Sequence, residues 1–259
     1  MEIRRADGQS LDRPRVCAPG KLLSVVSLLS MIALGSVRAC AGDILPSVES
    51  VVTHMAQARL ENRAHLRPYT VTRNYKLIGK EKQTTRSEVI AELSFIPPDA
   101  KQFVIRQATG MGLGERIVRQ MLEHETAIVK NYGSTDMSPA NYEFRWAGEE
   151  AWEGHPCYVL EMLPRRKDKI LLRGKIWVDS STYLLRRTEG EPGKAPSWWL
   201  RDSRIVLIYG DVAGMWLQIS SESTADVRFL GTHTMISRDV KYKTGELVAA
   251  TGGDVGFGR

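Results

Sequence analysis

The fold is decided by the stretch Arg86–Phe95, which reads RSEVIAELSF. Apolar and polar side chains alternate along it, and a period of two is typical of a β-strand, because successive side chains point to opposite faces of the sheet. The predicted buried face carries Val89, Ala91, Leu93 and Phe95, and the predicted wet face carries Arg86, Glu88, Glu92 and Ser94. The stretch therefore predicts a sheet with one covered face.

The same period of two continues on both sides of this stretch. Tyr69–Leu77 alternates in the same way, and the turn Gly79–Lys82 joins it to Arg86–Phe95 as a hairpin. After Pro97-Pro98, a third and shorter strand is predicted at Lys101–Arg106. Further strands are predicted at 142–146, 157–163, 169–178, 182–188, 198–208, 215–220, 227–230 and 234–243. Short turns between consecutive strands predict an antiparallel meander of about eleven strands.

Two helices interrupt the strand pattern. The segment after Ser47 has apolar residues at helical spacing (Val48, Val51, Val52, Met55, Ala58), with Ser47 as the predicted N-cap and an end near Arg63–His65. The second helix follows Gly110, Gly112 and Gly114, and it pairs Ile117 with Met121 and Val118 with Leu122.

These elements predict a mainly β fold of the α+β class. An antiparallel sheet of about eleven strands curls on itself, and the two helices are available to cover its concave side or its open mouth. We therefore expect one domain over residues 42–245, a curled sheet or half-open β-barrel with helices as a lid.

The N-terminus resembles an export signal. A basic segment precedes the apolar run Leu22–Leu34, which is shorter than the about 20 residues of a membrane-spanning helix. Ala39 and Ala41 then supply the small residues of a signal-peptidase site, so residues 1–41 are predicted to be removed and the protein to be periplasmic. Two alternatives are an uncleaved anchor and a lipoprotein attached through Cys40.

Charge and cysteine content narrow the class of protein. The net charge of +6 falls to +3 without residues 1–41, which hold six basic and three acidic residues, and we therefore expect no nucleic-acid partner. Cys157 is then the one cysteine of the mature chain, so an internal disulfide is excluded, and it is interpreted as a small core residue. Residues 246–259 are predicted to be a flexible, glycine-rich tail.

The sequence shows no catalytic or metal-binding constellation. The five histidines are far apart, and His124-Glu125 begins like a zinc-protease helix but has Ile128 where the second histidine belongs. A nucleophile elbow of the G-x-S-x-G type is also missing. We therefore expect neither an enzyme nor a metal or other cofactor.

A run of basic residues joins two predicted strands. Arg165, Arg166, Lys167 and Lys169 could dock an anionic lipid headgroup or an acidic partner. The alternative is a solvated hairpin loop.

The central block carries a family resemblance. Gly154–Pro164 (GHPCYVLEMLP) runs into Lys167–Lys169, then Arg173–Asp179 (RGKIWVD) and Arg186–Pro192 (RRTEGEP). The block resembles the LolA-like family of outer-membrane lipoprotein-sorting proteins, and the first helix with Tyr69–Val71 looks like the start of the same module. The resemblance implies a half-open antiparallel barrel, with helices as a lid over an apolar cavity. Members of one branch carry lipoprotein acyl chains across the periplasm, a related branch senses misplaced lipoproteins, and neither is an enzyme.

On this resemblance the apolar strand faces are expected to line a cavity for lipid or lipoprotein acyl chains. The candidate residues are Val89, Ala91, Leu93 and Phe95 on one strand, with Tyr158, Leu160 and Met162 on another. Such a protein would be a lipid or lipoprotein carrier. The alternative is a sensor or adaptor of the same fold that acts through an envelope membrane protein.

Overall fold

The computed structural model describes residues 45–79, 85–110, 112–130, 133, 135–194, 200–228 and 231–245. The predicted signal segment with Cys40, and the predicted tail at 246–259, lie outside the described residues. No described helix is both long enough and apolar enough to span a membrane.

The described chain is dominated by one antiparallel sheet. Its strands are β1 (Tyr69–Ile78), β2 (Thr85–Ile96), β3 (Ala100–Gly110), β4 (Tyr142–Trp152), β5 (His155–Pro164), β6 (Leu172–Asp179), β7 (Leu185–Pro192), β8 (Leu200–Val212), β9 (Met215–Val227) and β10 (Gly231–Thr244). They lie in the order β3-β2-β1-β10-β9-β8-β7-β6-β5-β4. The predicted class, a mainly β fold built on a curled antiparallel sheet with two helices, is confirmed.

Two details of the strand prediction were wrong. The separate strand predicted at 227–230 is not found, since Val227 belongs to β9 and Arg228 lies in a turn, while residues 229 and 230 lie outside the described residues. The sheet therefore has ten described strands where about eleven were expected. The strand predicted from Thr182 begins only at Leu185, because the Asp179 carboxylate accepts hydrogen bonds from the backbone N–H groups of Ser181 and Thr182 and holds a turn there.

The two predicted helices are confirmed. α1 (Val48–Ala64) begins after Ser47, whose hydroxyl accepts a hydrogen bond from the Ser50 N–H at 3.1 Å, as expected of an N-cap. α2 (Gly112–Lys130) connects β3 to the following loop, and it has an apolar face and a charged face.

Both helices cover the same face of the sheet. Residues directly opposite each other in an antiparallel pair share a face, so one row can be followed across nine strands. The row reads Val89, Tyr75, Ser237, Ser221, Leu207, Thr188, Ile176, Leu160, Trp146. α1 packs near the Leu160 end and α2 near the Val89 end. We call this the helix-bearing face, and the opposite one the second face.

Candidate functional site

The predicted cavity residues lie on the helix-bearing face in two separate clusters. Val89, Ala91 and Leu93 belong to the α2 cluster, which also contains Val71, Tyr75, Leu77, Val118, Leu122 and Met235. Phe95 is buried beside the Tyr69 ring. Leu160 and Met162 belong to the cluster under α1, and Tyr158 packs against that cluster. The structure therefore does not bring the seven residues together, and none of them lines a cavity described below.

α2 closes the face on which Leu93 lies. Val118 and Leu122 of α2 and Leu93 of β2 are all 0% exposed, and α2 packs on β1, β2 and β3 at one edge of the sheet. Glu123 and His124 of the same helix are exposed. An acyl chain can therefore reach Leu93 only if α2 moves away.

A buried ionic cluster ties α2 to the sheet. Arg73 of β1 donates from Nη1 to Glu125 of α2, at 3.1 Å to Oε2, and Lys101 of β3 pairs with the same carboxylate. Arg73 also donates to Asp239 of β10, at 3.3 Å from Nη2 to Oδ2, and the Tyr242 hydroxyl donates to Asp239 as well. The side chains of Arg73 and Asp239 are 7% and 1% exposed. The alternation of Tyr69–Leu77 places Arg73 on the same strand face as Val71 and Tyr75, but the sequence pattern alone does not mark this charge as functional.

Burial and charge act against each other in this cluster. Burial alone would raise the pKa of Glu125, but the neighbouring Arg73 and Lys101 charges outweigh it, so the pKa of Glu125 is lowered. Burial raises the pKa of Tyr69 and of Tyr75 to about 12. The Glu125 side chain of α2 is therefore a carboxylate at neutral pH, held between the helix and the sheet.

Between the two helices the helix-bearing face is more polar and partly open. The hydroxyl oxygens of Ser221 and Ser237 lie 2.7 Å apart, and Ile205 and Leu207 of β8 are partly exposed. Thr188 is fully buried there, and its hydroxyl has no hydrogen-bond partner among the described residues. This middle region links the two apolar clusters.

α1 is fastened to the sheet at several points. The Asn62 side chain donates to the Trp216 carbonyl at 2.9 Å and accepts from the Trp216 N–H at 2.7 Å. Arg59 pairs with Asp136 at 3.3 Å and donates to the Met137 carbonyl at 3.2 Å. These bonds hold α1 to the rim of the sheet along its C-terminal half.

The second face carries a groove of about 1020 Å³ over β1 and β7–β10. Its apolar floor includes Ile78, Val206, Ile208 and Ile236, and charged residues of both signs surround it: Arg187, Arg204, Arg238, Asp202 and Glu222. The Arg187 guanidinium lies 4.4 Å and 4.7 Å from the ring centroids of Trp152 and Trp177. No sequence pattern pointed to this groove, because its residues come from six strands: β1, β4 (through Trp152) and β7–β10.

The predicted basic patch lies on the loop before β6. Arg165, Arg166, Lys167 and Lys169 are all exposed. Arg165 donates to the Pro139 carbonyl at 2.7 Å, and Arg166 donates to the Asn141 side-chain oxygen at 2.6 Å. The two arginines therefore brace this loop, and the role of the patch in headgroup or partner binding stays a prediction.

Cys157 has the environment expected of a core residue. It is 2% exposed on the second face, its thiol donates to the His155 carbonyl at 3.4 Å, and burial raises its pKa. The described residues contain no group of three or more side chains that could hold a metal ion.

We expect the Cys157 thiol to be unreactive in the folded protein. The thiolate is the reactive form, and a raised pKa together with burial keeps its population small at neutral pH. A chromogenic disulfide reagent at pH 7.5 should modify less than about a tenth of Cys157 in native protein and all of it in urea. Rapid modification without urea would contradict this assignment.

No family model matches the chain, and no curated protein matches it. Among solved structures, a domain from Vibrio parahaemolyticus assigned to outer membrane lipoprotein sorting is 13% identical, with 76% of this chain and 92% of that chain covered and a TM-score of 0.43. A LolA superfamily protein from Nitrosomonas europaea is 11% identical, with 78% and 96% covered and a TM-score of 0.37. The Mycobacterium tuberculosis lipoprotein LppX is 11% identical, with 78% and 100% covered and a TM-score of 0.27. The ten-stranded antiparallel sheet with two helices on one face agrees with the fold class that the sequence predicts.

Proposed function

We propose that the protein is an exported carrier that binds lipid or lipoprotein acyl chains on its helix-bearing face, with α2 as a movable lid. One observation carries the proposal. An amphipathic helix covers a strongly apolar strand face, yet buried charges fasten it there through Glu125.

The α2 cluster has the chemistry that acyl chains require. Its strand residues present aliphatic and aromatic surface, so an acyl chain could replace the apolar face of α2 without any directional contact. Each methylene buried contributes about 0.8 kcal/mol, so a chain can be held by its area alone.

The polar contacts suggest which helix moves. Partly buried hydrogen bonds to backbone groups of β9 and of the 135–138 loop fix α1. α2 lies on the edge half of the sheet, and its movement would break no pairing between strands. When α2 moves away from the sheet, the charges of the ionic cluster become hydrated. This hydration makes opening less costly than separating an ion pair whose members stay buried.

We expect Glu125→Gln to loosen the lid. The amide keeps the shape of the side chain but removes the charge that Arg73 and Lys101 face, and we expect the free energy of unfolding to fall by about 1–3 kcal/mol. Uptake of a fluorescent fatty acid, measured by stopped flow, should become several-fold faster.

Glu123→Gln is the matched control for this experiment. Glu123 is two residues away on the same helix and exposed, so its loss should leave the uptake rate unchanged. Equal rates in wild type and both variants would argue against a lid controlled by Glu125.

Native mass spectrometry of the protein purified from its own envelope tests the function itself. Co-purified lipid, released together with the protein at a fixed stoichiometry, supports the carrier. Protein without lipid, bound instead to one stoichiometric partner protein, supports the alternative of a sensor or adaptor.

The groove on the second face favours that alternative. It is wide, no described helix covers it, and arginines and carboxylates alternate around an apolar floor, as is common at the polar rims of protein interfaces. Arg204→Glu and Arg238→Glu would then weaken partner capture and leave fatty-acid binding intact.

A further inference from the structure

A pair of adjoining cavities lies at the α1 end of the helix-bearing face, away from the α2 cluster. The inner cavity measures about 280 Å³, and its apolar walls include Met55, Met137, Leu185 and Tyr209. The Arg59–Asp136 ion pair also lines it. The outer cavity measures about 500 Å³ and lies between α1 and the turns before β7 and β9. Asn62, Tyr183, Leu184 and Trp216 line both cavities, so the two cavities adjoin along this shared wall.

Tyr183 is held in this wall against its backbone preference. Its φ of 56° lies in the left-handed region, which is uncommon for a residue with a large side chain. The turn is fixed around it, since the Tyr183 N–H donates to the Asp179 carbonyl and the Arg186 guanidinium donates to the Asp179 carboxylate at 2.5 Å. The Tyr183 ring is stacked on the His54 ring at 4.6 Å. Tyr183 is thus preorganised in its position in this wall, which lowers the cost of binding a ligand beside it.

The outer cavity is polar in a particular way. Glu61 and Asp211 contribute carboxylates, and Ser181 and Thr182 contribute hydroxyl groups. His54 and His65 also line the cavity, and neither lysine nor arginine is among its described lining residues. Both carboxylates are exposed, and each has one oxygen engaged locally, by the Gln57 amide and by the Gly214 N–H. The lining therefore suits a group that donates hydrogen bonds or carries positive charge, and it disfavours an anion.

We infer that the two cavities form one site for an amphiphile with a single alkyl chain and a head group that is cationic or a hydrogen-bond-donating polyol. The head group occupies the outer cavity beside Glu61 and Asp211. The chain passes Tyr183 and Trp216 into the inner cavity toward Met55 and Met137. This site is open even while α2 covers the α2 cluster. The inference therefore goes beyond the proposed carrier function and does not depend on movement of α2.

The test follows methionine methyl groups by carbon-13 NMR. Met55 and Met137 report on the inner cavity, while Met235 reports on the α2 cluster. Decylammonium and decyl maltoside, each below its micelle concentration, should shift the Met55 and Met137 signals and leave Met235 in place. On the same signals, decanoate should bind at least tenfold more weakly. Shortening the chain from decyl to octyl should weaken binding about fifteenfold, which is about fourfold for each buried methylene.

Two variants identify the source of the preference. Glu61→Gln combined with Asp211→Asn keeps the acceptor oxygens and removes the charges, and it should bring decylammonium and decanoate to within about threefold of each other. Glu222→Gln on the second face is the matched control and should leave the tenfold preference intact.

Three results would overturn the inference: unshifted Met55 and Met137 signals with every probe, equal binding of decanoate and decylammonium, or an unchanged preference in the double variant. A shift of Met235 alone would remove this site and leave the lid proposal standing. Shifts of Met55 and Met137 without Met235 would support this site whatever becomes of the lid.

Discussion

Arg73→Met is expected to lower the free energy of unfolding by about 3–5 kcal/mol, because it leaves two carboxylates under α2 without their shared cation. Asp239 is almost completely enclosed, and Glu125 would keep only Lys101 as a partner. The methionine fills most of the volume, so the loss reports the missing charge more than a cavity. Urea denaturation followed by circular dichroism measures it.

Arg106→Met is the matched control for this variant. Arg106 lies on β3 and pairs with Glu92 at 2.9 Å, but its side chain is 55% exposed, so its removal should cost less than about 1 kcal/mol. Adding Asp239→Asn to Arg73→Met should restore part of the lost stability. Equal losses in Arg73→Met and Arg106→Met would contradict a buried cluster.

The pH dependence of the free energy of unfolding tests the same ionic cluster independently. The pKa of Glu125 is lower in the folded protein than its ordinary value of 4.5, so its contribution is fully present above that value. The contribution is lost as the pH falls through the lower folded pKa. Of the two neighbouring cations, Arg73 lowers the pKa of Glu125 more than Lys101 does, and Arg73→Met removes it. The free energy of unfolding of this variant should therefore fall less than that of the wild type when the pH is lowered.

Leu93→Glu is expected to release α2 and abolish acyl binding while the sheet stays folded. An unpaired carboxylate beneath Val118 and Leu122 would cost several kcal/mol if α2 remained closed. Release of α2 exposes the carboxylate to water without breaking a strand pair. We expect a native β signal in circular dichroism, protease cleavage within residues 112–130, and at least a tenfold loss of fluorescent fatty-acid binding.

Val104→Glu is the control for this variant. Val104 lies on the neighbouring strand β3 with 50% of its surface exposed, so the new charge should be tolerated. Cooperative unfolding of Leu93→Glu would make Leu93 an ordinary core residue and would remove the lid. A folded Leu93→Glu protein that binds the fatty acid like wild type would remove Leu93 from the binding face.

The α2 half of the sheet could be predicted because β1 and β2 alternate strictly between buried and more exposed residues. β2 keeps every second residue buried from Ser87 to Phe95, since α2 covers one of its faces. β9 lacks this pattern, because its polar residues around Ser220–Asp226 face open surface on both sides. This segment is a strand because it is hydrogen-bonded to β8 and β10, and its amino-acid composition alone does not predict that pairing.

The site was less predictable than the fold. Alternation marks Val89 and Leu93 as buried, but it cannot tell whether a ligand, a lid or a permanent core covers them. The ionic cluster joins Arg73 to Glu125 and Asp239, which are far away along the chain, and it forms only when the sheet and α2 come together. Tyr183 and Trp216 likewise line one cavity at the α1 end although they are far apart in the sequence. Their proximity depends on the turns of the folded chain, and no local sequence pattern reveals it.

Photo-crosslinking with a diazirine-bearing palmitate tests directly whether acyl chains bind to the sheet beneath α2. The protein is incubated with the probe at a stoichiometric ratio and irradiated, and the modified residues are located by peptide mass spectrometry. We expect labels on the strand residues Val71, Val89 and Leu93 and on Val118 or Leu122 of α2, and we expect unlabelled palmitate to suppress these labels. Competable labels confined to the second-face groove, with those residues unmodified, would contradict an acyl-binding face beneath α2.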